Sequence, residues 1–341
     1  MENDLTNNQA HISKTAVITG ASSGVGLATA QLFAKKGYNL ILASRGLPAL
    51  EKAAEECRRL GAKVIVKSTD MSIAKEVKTL VQVGLDEFGK IDIWVNNAGV
   101  MASGKFEEIP LEINEQVIKT NLMGYMLGAY YILPVFKEQK QGILINNVSI
   151  GGYMPAPYSS VYSATKFGIK GLMSGLQSEY SNEKNIHICN IYPQIQQSTG
   201  NMHSAKYSGL DSKIPPFAAD PKDTAKVIYE LTKKPQNDKF PGLMSYALKT
   251  IHGLFPHSIS NIATTALRMM MKNDHSEDTS GNILQASGEP HQIYGETSFP
   301  VPSKTSNNII SAGLAIGIGV LIWKSINHKN NKPKKSLKYA L

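Results

Sequence analysis

The chain has 341 residues, of which 42% are hydrophobic, as expected for a globular α/β domain with an appendage. Its formal net charge is +9, but residues 301–341 contribute seven lysines and no acidic residue, so residues 1–300 retain only +2. The basic charge therefore belongs to the tail, and a nucleic-acid-binding surface on the folded body is not indicated.

The cysteines and the first residues of the chain exclude several further classes of protein. Cys57 and Cys189 are the two cysteines, and neither lies in a Cys-x-x-Cys motif or a Cys/His cluster. A disulfide framework and a metal site are therefore not predicted. Residues 1–13 form a polar arm without the apolar core of a secretory signal, so we expect the body to fold in a reducing compartment.

Strands and helices are predicted to alternate, as a doubly wound parallel sheet requires. The predicted strands cover residues 14–19, 39–44, 63–68, 91–96, 142–149 and 186–192. The first predicted helix follows the first strand and ends at about residue 36. The next helices are predicted over about 48–60, 72–88, 111–137, 158–183 and 221–234. In such a sheet, ligands bind in the crevice at the carboxyl ends of the strands.

The alternation weakens after residue 193. Residues 194–219 are predicted to be a loop with some helix, 242–272 an apolar helical stretch, and 273–308 a polar and loosely ordered linker. The predicted organisation is a polar arm (1–13), a Rossmann-like α/β domain (14–235), a helical extension beside the ligand crevice (236–272), a polar linker (273–308), an apolar segment (309–326) and a basic tail (327–341).

Three glycines follow the first predicted strand, in the pattern Thr19-Gly20-x-x-x-Gly24-x-Gly26. Glycine permits positive φ and lets backbone N–H groups approach a pyrophosphate at a helix N-terminus. Because no Lys-Ser/Thr pair follows, the pattern does not indicate a P-loop. It predicts a turn that binds a dinucleotide.

Tyr162 and Lys166 are four residues apart, so they share one face of a predicted helix. Ser149 lies thirteen positions before Tyr162, at the end of a predicted strand. A phenol with an ordinary pKa of about 10 is a poor acid or base at neutral pH, but a nearby cation favours its ionised form. The pair alone would also suit a surface helix; with Ser149 it predicts a proton-transfer site.

Residues 12–235 resemble the short-chain dehydrogenase/reductase family, because several motifs occur in that family's order. They are the glycine turn, Asn96-Asn97-Ala98-Gly99, Asn121, Ser149, Tyr162 and Lys166. The resemblance implies hydride transfer between a nicotinamide and a carbonyl or alcohol, with Tyr162 as acid/base. It further implies that Lys166 lowers the pKa of Tyr162 and binds the nicotinamide ribose, that Ser149 polarises the substrate oxygen, and that Asn121 holds a water linking Lys166 to solvent.

The end of the second strand predicts which cofactor is bound. An NAD-selecting site usually has a carboxylate there, but this chain has Ser44-Arg45 and no acidic residue before Glu51, which favours NADP(H) over NAD(H). The resemblance also places Asp70 beside the adenine. The expected cofactor-binding residues are Gly20, Ser22, Ser23, Gly24, Val25, Gly26, Ser44, Arg45, Asp70, Met71, Asn97, Ala98, Gly99, Tyr162, Lys166, Pro193 and Thr199.

One position departs from the family pattern. The family commonly has Pro-Gly and a nearby Thr after the sixth strand, whereas here Pro193 is followed by Gln194, with Thr199 further on. Loss of the glycine is expected to restrict the backbone beside the nicotinamide.

Residues 309–323 contain no charged side chain and are followed by six lysines. As a helix they would span about 22 Å, short of the roughly 30 Å hydrocarbon core, although extension to residue 326 would lengthen the segment. We predict membrane association through 309–326, with the catalytic body facing the cytosol; spanning, re-entrant and interfacial placements all remain open. The alternative is a buried C-terminal helix.

The sequence thus favours a membrane-associated NADP(H)-dependent oxidoreductase acting on an apolar carbonyl or alcohol, of a lipid, steroid, retinoid or fatty-aldehyde type. Residues 153–158 would form an apolar wall of its substrate site. The alternatives are a soluble 3-oxoacyl-carrier-protein reductase and an NADP-binding membrane scaffold or redox sensor. Ala164, Gly168, Gly171 and Gly175 would permit close packing of the Tyr/Lys helix, either in a homodimer or homotetramer or against the sheet.

Overall fold

The computed structural model describes residues 13–210, 214, 218–271, 277–288 and 291–296. The predicted membrane-associating segment 309–326, the basic tail 327–341 and nearly all of the arm 1–13 lie outside the described residues. Among the helices that are described, none is long and apolar enough to cross a bilayer.

Seven parallel strands form the main sheet, in the order β3-β2-β1-β4-β6-β7-β9. Their bounds are β1 Thr15–Thr19, β2 Asn39–Ser44, β3 Val64–Ser68, β4 Ile93–Asn96, β6 Gly142–Asn147, β7 Ile186–Ile191 and β9 Asp238–Lys239. A second, two-stranded sheet pairs β5 (Ala102–Ser103) with β8 (Ala205–Lys206). The six predicted strands are all present. The sequence did not indicate β5, β8 or β9, since two residues are too few to show periodicity.

Nine α-helices lie within the described residues. They are α1 Gly24–Lys35, α2 Leu47–Arg59, α3 Ala74–Phe88, α4 Leu111–Ile118, α5 Gly124–Gln139, α6 Ser160–Glu179, α7 Pro221–Leu231, α8 Gly242–Leu254 and α9 Pro256–Met271. The single helix predicted over 111–137 is interrupted by a π-helical turn, Lys119–Met123. The stretch predicted over 242–272 is two helices divided at Phe255, because the following Pro256 disfavours the α conformation there.

Helices cover both faces of the main sheet, which confirms the predicted Rossmann-like architecture. Every residue of β1 is buried, as expected for a central parallel strand. Ala16 and Ile18 pack in the hydrophobic cluster on the α1 and α2 side, whereas Val17 faces the cluster on the α3 and α5 side. The strand order reverses between β1 and β4, which places the ligand crevice at their carboxyl ends.

A ladder of hydrogen-bonded side chains runs from the centre of the sheet to its β9 edge, with three buried asparagines followed by an exposed aspartate. Asn96, Asn146, Asn190 and Asp238 occupy paired positions on β4, β6, β7 and β9. Their side chains are joined by hydrogen bonds of 3.0, 3.2 and 3.2 Å. Because a slipped register would leave buried polar groups unpaired, this asparagine ladder fixes how far each strand extends towards the crevice.

The described part of the predicted linker 273–308 is packed against the body rather than loosely ordered. Ile283 is fully buried beside Val100 and Ala102, and Ile293 is buried in the core cluster that contains α1. Two isolated apolar residues in a polar stretch have no periodicity, so this docking was not recognisable from the sequence.

Candidate active site

The glycine-rich turn brings the N-terminus of α1 against the ends of β1 and β4. Gly20 has φ +65°, and a Cβ atom on it would lie 2.8 Å from the Ala98 Cα. A Cβ on Gly26 would lie 2.1 Å from the Gly20 carbonyl oxygen, so no side chain fits at either position. Asn97 Nδ2 donates to the Thr19 carbonyl oxygen at 2.9 Å and fixes the turn from the other side. This turn is the cradle that a dinucleotide requires.

One cavity of about 490 Å³ joins the glycine turn to the other predicted site residues. Nearly all the predicted cofactor-binding residues line it, together with Ser149; Gly26 packs inside the turn, and Asn121 lies behind the cavity wall. The sequence therefore identified residues that the fold brings together at one edge of the sheet.

At one end of the cavity, Arg45 and Ser44 face the position expected for the adenosine ribose. The Ser44 hydroxyl oxygen is buried and has no hydrogen-bond partner among the described residues. Burial lowers the pKa of the Arg45 guanidinium, an effect that Asp70 opposes. A desolvated cation beside an unpartnered hydroxyl suits a ligand that carries hydroxyl or anionic groups. The residues present therefore fit a nicotinamide dinucleotide.

At the other end, Ser149, Tyr162 and Lys166 converge. Ser149 lies two residues beyond β6 with φ 117°, and its hydroxyl accepts a hydrogen bond from the Gly151 N–H at 3.0 Å. Tyr162 lies in the first turn of α6 and is hydrogen-bonded to Ser149. One turn later, the Lys166 Nζ lies 5.4 Å from the centre of the Tyr162 ring. A substrate oxygen beside Ser149 would thus be within reach of the phenol.

Burial dominates the electrostatics of this end of the site. Lys166 is only 4% exposed, and desolvation lowers its pKa from 10.5 to about 7. Desolvation also raises the pKa of Tyr162, while the hydrogen bond from Ser149 opposes that rise. The pKa of Tyr162 is therefore raised overall, whereas the effect of Lys166 alone was expected to lower it. Both groups therefore tend towards their neutral forms, which is the state that a low-dielectric site favours.

Asn121 lies in the π-helical turn between α4 and α5, a distortion that often marks a functional site. Its side chain is tied to the backbone of Val100, accepting from the N–H at 2.8 Å and donating to the carbonyl at 2.9 Å. Gly99 lies between Asn121 and Lys166: a Cβ there would be 3.3 Å from Asn121 Oδ1 and 3.8 Å from Lys166 Nζ. Asn121 thus lies next to Lys166, but its predicted role in holding a water remains a prediction.

The backbone at Pro193 and Gln194 accommodates the departure from the family pattern. The Pro193 carbonyl accepts from Ile150 N–H at 2.8 Å, and Gln194 N–H donates to Ser245 Oγ at 3.1 Å. Gln194 does not have a positive φ, so a glycine is not required. Thr199 is buried and its hydroxyl contacts the Gln292 carbonyl at 3.4 Å.

Sequence reasoning missed one group of residues that line the cavity. Asn282, Ala286, Ser287 and His291 come from the segment expected to be a linker, and His203 comes from the loop after β7. No motif marked them. Burial of Ile283 and Ile293, together with backbone hydrogen bonds at both ends of the segment, holds the first four residues at the cavity.

Comparisons with known proteins agree with this geometry. The short chain dehydrogenase family matches residues 14–207. An uncharacterized oxidoreductase of Listeria monocytogenes is 37% identical over 181 residues, which cover 53% of this chain and 73% of that protein. An alcohol dehydrogenase from the archaeon Thermococcus sibiricus, complexed with 5-hydroxy-NADP, is 28% identical with a TM-score of 0.59, covering 67% of this chain and 94% of that one. Levodione reductase is 25% identical with a TM-score of 0.62, covering 69% and 98%.

The chain therefore belongs to the short-chain dehydrogenase family. It is an oxidoreductase of the NAD(P)-dependent type, with Ser149, Tyr162 and Lys166 meeting in the cavity that the family's motifs build.

The buried Lys166 is expected to make stability depend on pH. Between the folded pKa of about 7 and the ordinary 10.5 the unfolded chain binds more protons, so stability rises with pH across this window and the burial penalty is complete below it. Lys166→Met removes the penalty. We expect its urea midpoint to exceed that of the wild type by more at about pH 6 than at about pH 9.

The matched control is Lys78→Met, which changes an exposed lysine of α3 and should show no such difference. A midpoint shift of equal size at the two pH values would mean that Lys166 keeps its ordinary pKa in the folded protein.

Proposed function

We propose that the protein is an NADP(H)-dependent oxidoreductase that interconverts the carbonyl and alcohol forms of an apolar substrate. The observation that carries the proposal is one cavity with a proton-transfer group, Tyr162, at one end and a guanidinium, Arg45, at the other. A dinucleotide bound along the crevice would reach both groups.

The chemical step divides between cofactor and protein. A bound nicotinamide supplies the hydride for the substrate carbon, or receives it in the opposite direction. The Ser149 hydroxyl is positioned to hydrogen-bond the substrate oxygen, and Tyr162 gives that oxygen a proton during reduction or removes it during oxidation. Lys166, with its pKa lowered to about 7, exchanges protons readily at neutral pH and is placed to restore the proton of Tyr162.

Two observations support NADP(H) over NAD(H). Arg45 directly follows β2, where the guanidinium suits the planar, bidentate contacts of a 2′-phosphate. In addition, the structurally similar Thermococcus enzyme was obtained in complex with 5-hydroxy-NADP.

The walls around the catalytic end support an apolar substrate. Beyond Ser149 the cavity is lined by hydrophobic side chains, namely Ile150, Met154, Ala156, Pro157, Ile195 and Leu210. This composition favours an alkyl, isoprenoid or steroid-like group next to the reacting carbonyl, since burying apolar surface contributes most of the affinity in such a pocket.

We also propose that residues 309–326 associate with a membrane, leaving the body on the cytosolic side. The sequence of this segment supports the proposal, and so does α8. Leu243, Tyr246 and Leu254 are 75%, 57% and 68% exposed along this helix, next to the Ser245 hydroxyl that contacts Gln194. A lipid surface beside α8 would cover these side chains and bring lipid-soluble substrates to the site.

Self-association is proposed through α5 and α6. Met123, just before α5, and Met126, Tyr130 and Phe167 on these helices are 39%, 40%, 70% and 42% exposed. A Cβ on Gly171 would meet no atom within 4 Å, so α6 also offers a flat surface for a second copy of the chain.

Tyr162→Phe is expected to lower kcat about 10²- to 10⁴-fold while NADPH still binds, because only the proton donor is removed. Steady-state turnover with a panel of ketosteroids, retinals, fatty aldehydes and 3-oxoacyl thioesters, followed by NADPH consumption, provides the test. Tyr229→Phe, on α7 and outside the cavity lining, is the matched control. If Tyr162→Phe kept more than half of the wild-type kcat, the role of Tyr162 as acid/base would be refuted. If the wild-type protein bound NADPH but turned over no carbonyl of the panel, the alternative of an NADP-binding scaffold or redox sensor would be favoured.

Arg45→Asp is expected to weaken NADPH binding far more than NADH binding, because it replaces a phosphate partner with a repelling charge. Titration of both cofactors measures the two dissociation constants. Arg59→Asp makes the same charge change at an exposed position of α2 and should affect neither. Equal losses for the two cofactors would show that Arg45 does not read the 2′-phosphate.

Deletion of residues 305–341 is expected to move the protein from the membrane to the soluble fraction with its catalytic activity intact. Deletion of 327–341 alone separates the two contributions, because it removes basic residues that attract anionic headgroups but leaves the uncharged segment. Separation of membrane and soluble fractions measures attachment. Protease added to intact cells or sealed vesicles shows on which side of the membrane the tail lies. A full-length protein found entirely in the soluble fraction would contradict the proposal.

A further inference from the structure

A strap crosses the cavity from the loop that follows β7. We define the strap as residues 279–288 and 291–295. At its first end, Thr279 and Lys206 exchange backbone hydrogen bonds of 2.8 and 2.9 Å. At its second end, the Gly295 N–H donates to the Gln197 carbonyl at 3.1 Å. Both ends are therefore fixed to the stretch between β7 and the end of β8, and residues between them line the cavity.

Close packing reinforces both ends of the strap. A Cβ on Gly281 would lie 2.4 Å from the His203 carbonyl oxygen, and one on Gly295 would lie 2.7 Å from the Ser198 carbonyl oxygen. By contrast, a Cβ on Gly288, in the middle of the strap, would meet no atom within 4 Å. An added side chain is therefore excluded at both ends of the strap, whereas Gly288 has room for one.

Between its ends, the strap contacts two groups expected to meet phosphates: Arg45, which the proposed function assigns to the 2′-phosphate, and the N-terminus of α1, where the glycine turn predicts a pyrophosphate site. The Arg45 guanidinium donates to the Ile283 carbonyl at 2.9 Å and, through its other terminal nitrogen, to the Asn282 carbonyl. The Gly24 N–H, at the first position of α1, donates to the Gln292 carbonyl at 3.0 Å. The strap thus presents carbonyl oxygens to both donors.

These contacts conflict with a bound phosphate. A bidentate phosphate contact needs two guanidinium N–H groups, and the strap carbonyls already take one on each terminal nitrogen of Arg45; a single N–H cannot serve two acceptors well. The strap carbonyls also carry partial negative charge where phosphate oxygens would need to lie. The Arg45 guanidinium attracts a charged phosphate more strongly than the dipole of a neutral carbonyl, so the phosphate has the advantage in this exchange.

We propose that the strap competes with NADP(H) for Arg45 and the Gly24 N–H, and must be displaced for the cofactor to bind. The inference rests on the proposed cofactor site. The free-energy cost of breaking the Arg45 contact falls only on a cofactor with a 2′-phosphate. The cost of breaking the Gly24 contact falls on either cofactor. The strap therefore lowers the affinity for NADPH more than for NADH and slows cofactor entry.

Hydrogen exchange in the full-length wild-type protein gives the sign of the effect. On addition of NADPH, peptides that cover the strap should exchange faster, because its displacement breaks the hydrogen bonds that the Asn282 and Gly295 N–H groups donate to the body, while peptides that cover Gly20–Gly26 should exchange more slowly. Slower or unchanged exchange in the strap, with protection of the glycine turn, would overturn the strap inference alone. Slower exchange would mean that the strap closes over the bound cofactor instead of leaving the cavity. No protection of the glycine turn would overturn the proposed cofactor site together with the strap.

Substitutions at the ends of the strap test the same competition without touching the donors. Gly281→Ala and Gly295→Ala should loosen the strap and lower the dissociation constant of NADPH by about tenfold, as expected for the loss of competing hydrogen bonds, and that of NADH by about threefold. Association measured by stopped-flow fluorescence should be faster. Gly288→Ala is the matched control and should leave both constants unchanged. If Gly281→Ala and Gly295→Ala fold but bind NADPH more weakly than the wild type or equally well, the proposal is overturned. If neither variant folds, the hydrogen-exchange measurement on the wild-type protein decides.

Discussion

The hydrogen-bonded ladder of Asn96, Asn146 and Asn190 determines where the residues of the site can lie. Each asparagine occupies the paired position of its neighbour on the adjacent parallel strand. A shift of one residue would bury several amide groups without partners, at a cost of about 1–3 kcal/mol for each. Because the register is fixed, the residues that follow each strand, Asn97 and Ser149 among them, emerge at the same edge of the sheet.

That edge has two different tasks, and the difference comes from which basic side chain is desolvated at each end. At the catalytic end, Lys166 is enclosed by Tyr125 and Tyr162, and desolvation moves its pKa towards neutrality. At the adenosine end, Arg45 is also desolvated, but guanidinium remains charged and finds carbonyl partners instead. The first environment suits reversible proton transfer, and the second suits recognition of a fixed negative charge.

The strap adds a dynamic element to this otherwise rigid edge. Glycines that allow no added atom hold its ends and buried isoleucines anchor it, while its contacts with the cofactor-binding donors are hydrogen bonds to backbone carbonyls. Such contacts contribute little net free energy and exchange readily for a better partner. A cofactor with a 2′-phosphate is a better partner for Arg45 than a backbone carbonyl, so one segment would affect both the rate of cofactor entry and the choice of cofactor.

The sequence alone determined the alternating fold, the glycine turn and the proximity of Ser149, Tyr162 and Lys166, because each depends on local periodicity or on a fixed spacing. Only the tertiary structure decided the net pKa shift of Tyr162, since burial depends on residues distant in the chain. It likewise decided that Asn121 lies in a π-helical turn and that Gln194 needs no positive φ. The strap lay furthest from prediction: two isolated isoleucines dock it, and their partners are defined only once the sheet and its helices have assembled.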